Sequence, residues 1–96
     1  MAVMVATAGC ATPAESRRVL IDSTSYQPES LTVRVGDSVV WVNQDPFPHT
    51  VTSASGGFDS HTIETGKSWT YPVTKAGDFP YACIFHPMMR GTLVVK

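Results

Sequence analysis

From Arg18 onward, apolar residues alternate with polar ones or gather in short runs, with turn-forming residues between the runs. A period of two is the mark of strands, and helical spacing is nowhere sustained. The pattern predicts seven short strands, over residues 19–23, 31–35, 38–43, 50–53, 68–73, 79–84 and 92–96. Leu31, Val33 and Val35 fall on one face of their strand while Thr32 and Arg34 fall on the other. Trp69, Tyr71 and Val73 repeat that arrangement, so each sheet buries one side. Gly36-Asp37, Gly56-Gly57, Gly66-Lys67 and Gly77-Asp78 lie between the runs and supply the backbone freedom that reversals need. The expected fold is an all-β, antiparallel Greek-key β-sandwich of about seven to eight strands.

The first sixteen residues follow a different pattern. Met1 to Ala8 is an apolar string, followed by Gly9-Cys10 and a stretch rich in Thr, Pro, Ala, Glu and Ser. A secretory signal has such an apolar stretch, but the basic start is missing here. Thr7-Ala8-Gly9-Cys10 resembles the bacterial lipobox, in which the cysteine is lipidated and becomes the mature N-terminus. Two readings stand: a shortened export signal with Cys10 as the lipidation site, or a disordered tail in which Cys10 has no role. Both set residues 1–16 outside the fold and leave 17–96 as the domain.

Composition narrows the function. A chain of 96 residues makes one domain, and seven basic against eight acidic residues leave no electrostatic footprint for nucleic acid. Without residues 1–16 only Glu15 is lost, so the balance becomes seven against seven. A partner would then be selected by shape and apolar contact rather than by long-range steering. No apolar run reaches the ~18 residues of a spanning helix, and two cysteines cannot build a disulfide scaffold.

Tyr81-Ala82-Cys83 has the spacing of a tyrosine corner, yet Cys10 lies too far ahead of the first strand to pair with Cys83. Cys83 therefore needs another role. Within seven residues the chain places Cys83, His86, Met88 and Met89, and His49 stands upstream in Phe47-Pro48-His49-Thr50. A thiolate and an imidazole with two residues between them can meet one ion if the chain turns sharply, and Pro87 restricts that turn. Two histidines and a cysteine with a weak thioether form the donor set of a blue copper electron-transfer centre.

These blocks carry a resemblance to a known family. Cys83-x-x-His86-x-x-Met89 followed by Arg90-Gly91, the run from Val35 to Asn43 followed by Pro48-His49, and Ala76-Gly77-Asp78-Phe79 leading to Tyr81 and Cys83 resemble the cupredoxins. The resemblance implies one type 1 copper ion with His49, Cys83 and His86 as equatorial ligands and Met89 as the axial one, with Met88 as the alternative. It also implies a Thr50 N–H aimed at the Cys83 sulfur, and Asn43 tying the two ligand-bearing segments together. Phe47, Pro48, Pro87 and Met88 would gather near His86 as an apolar docking patch for redox protein partners.

The implied activity is electron transport by a monomeric, extracytoplasmic protein, periplasmic or anchored on the periplasmic or outer face through Cys10. Copper binding and delivery is the alternative, although delivery sites are richer in Met or His. An enzyme would need further metal ligands, and only His61 is left over. Asp45, Asp59 and Glu64 show no paired-carboxylate arrangement, and Trp41 and Trp69 read as core residues.

Overall fold

The computed structural model describes residues 13–96, so the apolar string and Cys10 lie outside the described residues. Eight strands follow in order: β1 (Ser16–Asp22), β2 (Ser25–Gln27), β3 (Ser30–Val33), β4 (Ser38–Asn43), β5 (Thr52–Ser53), β6 (Ser68–Pro72), β7 (Gly77–Ala82) and β8 (Arg90–Val95). They form two four-stranded sheets, ordered β2-β1-β4-β6 and β3-β8-β7-β5. Among the described residues no helix is long and apolar enough to cross a membrane.

Strand alternation builds the core. Val19 and Ile21 of β1 and Val39 and Trp41 of β4 point inward from one sheet, and Leu31, Val33, Tyr81, Leu93 and Val95 point inward from the other. The pairing is mixed, not antiparallel as expected: β1 runs parallel to β4, and β3 runs parallel to β8. After the β1–β2 hairpin the chain moves to the opposite sheet as β3 and returns to the first sheet as β4, on the other side of β1 from β2.

Two local expectations need correction. β2 has only Tyr26 as an apolar residue among three, too little for a period to register; Tyr26 is nonetheless buried. Val35 does not continue the buried face of β3, because the strand ends at Val33 and Val35 is half exposed. Pairing at the start of β1 reaches back to residues 15 and 16. Ser16 already pairs with Ser38, and the Glu15 N–H donates to Asp37 Oδ1 at 2.9 Å while the Ser38 N–H donates to Glu15 O at 2.8 Å. Asp37 also accepts the Arg34 N–H at 3.0 Å across a turn that Gly36 makes with φ 102°. Those two backbone N–H groups hold the Asp37 carboxyl below the usual carboxylate range.

Tyr81 does not act as a tyrosine corner; its hydroxyl accepts the Trp41 indole N–H across the core at 3.2 Å. Gly91 lies against that ring. A Cβ there would stand 2.5 Å from Tyr81 Cζ and 2.9 Å from the Glu29 carbonyl oxygen, with backbone on one side and a packed ring on the other. Gly91→Ala is therefore expected to destabilise the domain by about 1–3 kcal/mol through overpacking, read as a lower midpoint in thermal or denaturant unfolding. An unchanged midpoint would mean that Tyr81 does not occupy this position.

Candidate metal centre

The upstream half of the site starts where β4 ends. Asn43 is fully buried, and its carboxamide donates to Phe47 O at 2.8 Å and to Ile63 O at 2.9 Å while accepting the Asp45 N–H at 2.9 Å. It thereby folds the 44–48 turn and fastens it to the segment at Ile63. His49 and Ile63 exchange backbone hydrogen bonds of 3.2 and 2.8 Å, which fixes the His49 backbone. The expectation for Asn43 needs correction: it joins the His49 turn to the Ile63 segment and makes none of these bonds to the Cys83 loop.

The downstream half is a loop between β7 and β8. The Cys83 N–H donates to Met89 O at 3.1 Å, the Met89 N–H to His86 O at 2.8 Å, and the His86 N–H to Cys83 O at 3.3 Å. These bonds coil the chain so that Cys83 and His86 face one point. Cys83 Sγ lies 3.7 Å from His49 Nδ1 and 3.7 Å from His86 Nδ1, and the three donor atoms lie within 4.8 Å of one another. An ion with bonds of about 2.0 Å to nitrogen and about 2.3 Å to sulfur, spread at about 120°, sets S···N at about 3.7 Å. The donor set fits a metal in size as well as in chemistry. Met89 is buried at 4% exposure beside this loop, whereas Met88 is 90% exposed.

Thr50 joins the two halves. Its N–H donates to Cys83 Sγ at 3.3 Å, as the resemblance implied, and its Oγ1 accepts the Ile84 N–H at 3.0 Å. The buried Tyr26 hydroxyl donates to Thr50 O at 2.5 Å, and burial, with smaller contributions from Cys83 and Tyr81, pushes that phenol upward so that it remains a donor.

Sequence reasoning missed Asp45. Its carboxylate is buried, accepts the Ser23 and Thr24 N–H groups at 2.7 and 2.8 Å, and contacts His49 Nε2 at 2.7 Å. With Nε2 bonded to a carboxylate, the neutral ring carries its proton there and turns the Nδ1 lone pair to the sulfur side. The four-residue step from Asp45 to His49 was the only signal available. Ile84 and Phe85 were also missed: they are exposed alongside Phe47, Pro48, Pro87 and Met88, and half-buried His86 is flanked by Phe85 and Pro87 in sequence. His61 is exposed, with φ 57°, and is no part of the cluster.

Burial opposes ionisation of Asp45, but the Thr24 N–H, the His49 ring and the Ser23 N–H outweigh it and hold the carboxyl below the usual carboxylate range. A lowered folded-state pKa contributes stability that is present above the unfolded value and is lost as pH falls through the folded one. Asp45→Ala is expected to lower stability at pH 7 by about 1–3 kcal/mol, the cost of leaving buried donors unpaired, and the gap to the parent should narrow below about pH 4. Denaturant midpoints measured across that range check both the size and the direction.

Comparison with known proteins agrees with this geometry. The family model for the cupredoxin-like domain matches residues 1–95. Amicyanin of Paracoccus denitrificans is 32% identical over 81 residues, which cover 79% of this chain and 62% of that relative. Plastocyanin of Scenedesmus fuscus is 27% identical over 84 residues, covering 74% of this chain and 86% of the relative. The chain thus spans somewhat less than two thirds of the length of the Paracoccus denitrificans protein. Among solved structures, a mutant of amicyanin with Cu(I) superposes with a TM-score of 0.79 at 30% identity, over 84% of this chain and 82% of that one. A purple cupredoxin from Nitrosopumilus maritimus superposes with a TM-score of 0.76 at 28% identity, over 83% and 99%. With the family model spanning nearly its whole length, the chain belongs to the cupredoxin-like domain family.

Proposed function

We propose that this chain is a one-electron carrier that holds a single copper ion with His49, Cys83, His86 and Met89 and works outside the cytoplasm. The observation that carries this reading is the cluster of two imidazoles and one thiol, with both S···N separations at 3.7 Å and Thr50 N–H on the sulfur. The Cu(I) amicyanin among the superposed structures supports the choice of metal. When bound, copper supplies a one-electron Cu(II)/Cu(I) couple in a ligand set between the preferences of the two states.

The chain's own residues do the rest. Cys83 binds as a thiolate, and the Thr50 N–H withdraws charge from its sulfur. Asp45 orients His49, and the packed sandwich behind both segments keeps the donors in place when charge changes. Burial of Met89 supports it, rather than Met88, as the thioether ligand. Half-buried His86 lies in sequence between exposed Phe85 and Pro87, and with Phe47, Pro48, Ile84 and Met88 these residues offer an apolar surface suited to brief encounters with redox proteins. The apolar string from Met1 to Ala8 and the lipobox-like Thr7-Ala8-Gly9-Cys10 support a periplasmic or anchored location.

Addition of one equivalent of Cu(II) to the metal-free protein is expected to give a strong visible thiolate-to-copper band that Cys83→Ser abolishes. A colourless complex that a chelator strips rapidly would overturn electron transfer in favour of delivery. Met89→Leu is expected to keep the colour and raise the reduction potential by about 59 mV, the equivalent of a tenfold change in relative affinity for the two oxidation states. Met88→Leu should leave the potential unchanged; the reverse outcome would make Met88 the axial ligand.

A further inference from the structure

The Thr50 hydroxyl continues into a chain of hydrogen bonds that leaves the site and reaches the surface. The Ile84 N–H donates to Thr50 Oγ1 at 3.0 Å, the Thr50 and Thr52 hydroxyl oxygens are 2.9 Å apart, and Thr52 Oγ1 lies 3.3 Å from Asp59 Oδ1. Counting protons fixes the direction of every link. A carboxylate oxygen only accepts, and each threonine hydroxyl has a single proton. Asp59 therefore takes the proton of Thr52, the Thr52 oxygen accepts from Thr50, and Thr50 is left with a lone pair turned to Ile84.

The far end of the chain is held independently of the site. Thr52 and Asp59 oppose each other in an antiparallel bridge, and Asp59 Oδ1 also accepts the His61 N–H at 2.9 Å. The neighbouring Ser60 is fixed to Val51 twice, through its N–H at 2.9 Å and its Oγ at 2.8 Å. Asp59 is 47% exposed and makes none of its hydrogen bonds to His49, Cys83, His86 or Met89 among the described residues.

We propose that Asp59 is a positioning residue for the metal centre, acting through Thr52 and Thr50 to hold the Ile84 amide and with it the Cys83 end of the ligand loop. Thr50 grips Cys83 on two sides, with its N–H on the sulfur and its Oγ1 on the amide of the next residue. Without the acceptor at position 59, Thr52 can turn its proton back to Thr50, and the Thr50 proton then competes with the Ile84 N–H for the same region. The second grip weakens while the sandwich stays intact. The effect on a bound ion rests on the copper reading above, but the hydrogen-bond chain belongs to the metal-free protein.

The test uses the full chain with Asp59→Ala, Asp59→Asn and Thr52→Val. Asn keeps an acceptor oxygen and serves as the conservative rescue. In the metal-free protein, amide exchange of Ile84 followed by NMR is expected to rise about fivefold in Asp59→Ala and Thr52→Val, the size of one hydrogen bond, and to stay within about twofold in Asp59→Asn. The amides of Leu93 and Val95 in β8 should not change, which separates this effect from general loosening. With copper bound, Asp59→Ala should change the relative affinity for the two oxidation states by about threefold, ~28 mV at 59 mV per tenfold, and Asp59→Asn should restore it. Parent-like exchange at Ile84, exchange that rises equally in β8, or a potential identical in parent and Asp59→Ala would each overturn the proposal. If no variant or parent binds copper with colour, the copper reading fails, while the exchange data still decide whether Asp59 holds the Ile84 amide.

Discussion

The contact between Trp41 and Tyr81 sets the distance on which the site depends. Trp41 comes from one sheet and Tyr81 from the other, their rings meet edge to face with centroids 5.5 Å apart, and the indole N–H reaches the phenol oxygen. Two residues further along, β4 arrives at Asn43 and the β7 chain arrives at Cys83. The same pair of rings that closes the core thus brings the two ligand-bearing segments to one end of the sandwich. Tyr26 adds a second edge-to-face contact to Tyr81 and uses its hydroxyl on Thr50, so the aromatic core is coupled directly to the residue that grips the sulfur.

Polar groups at that end are buried yet satisfied. Asn43, Asp45, His49 and Thr50 lie under almost no solvent, and no buried side-chain nitrogen or oxygen among the described residues lacks a partner. Such a network resists rearrangement, because moving any member leaves another unpaired in a low-dielectric setting. The electron transfer proposed above would benefit from that resistance, since a donor set that cannot relax freely would keep nearly the same positions when the charge on a bound ion changes.

Much of this was legible in the sequence because it is local. Cys83, His86 and Met89 share one short loop whose own backbone bonds coil it, so their spacing was informative without a fold. His49 and Thr50 were legible through the block that leads to them. What escaped was set by partners distant in the chain. Asp45 reads as an ordinary turn residue until Ser23 and Thr24 are brought to it from more than twenty positions away. Asp59 and Thr52 look like surface polar residues until a backbone bridge opposes them. Parallel pairing of β1 with β4 and of β3 with β8 follows from which sheet each strand joins, a choice that alternation along one strand cannot encode. Tyr26 carries a short strand that pairing with β1 creates, not its own periodicity.

Two buried carboxylates bracket the parallel β1–β4 pair. Asp37 precedes β4 and accepts the N–H of Glu15 just before β1 begins; Asp45 follows β4 and accepts the N–H groups of Ser23 and Thr24 just after β1 ends. Parallel pairs need such external closure, since no tight hairpin joins their ends. Both carboxyls are held below the usual carboxylate range, so each stabilises the fold above its unfolded value and releases that stability as pH falls through its lowered folded value. The two ends are not equivalent in consequence. Loss of the Asp37 contacts frees the chain entry far from the ligands, whereas loss of the Asp45 contacts also frees the ring of His49. Acid would therefore loosen the pair at both ends, but only the β4 exit would transmit that loosening to the metal centre.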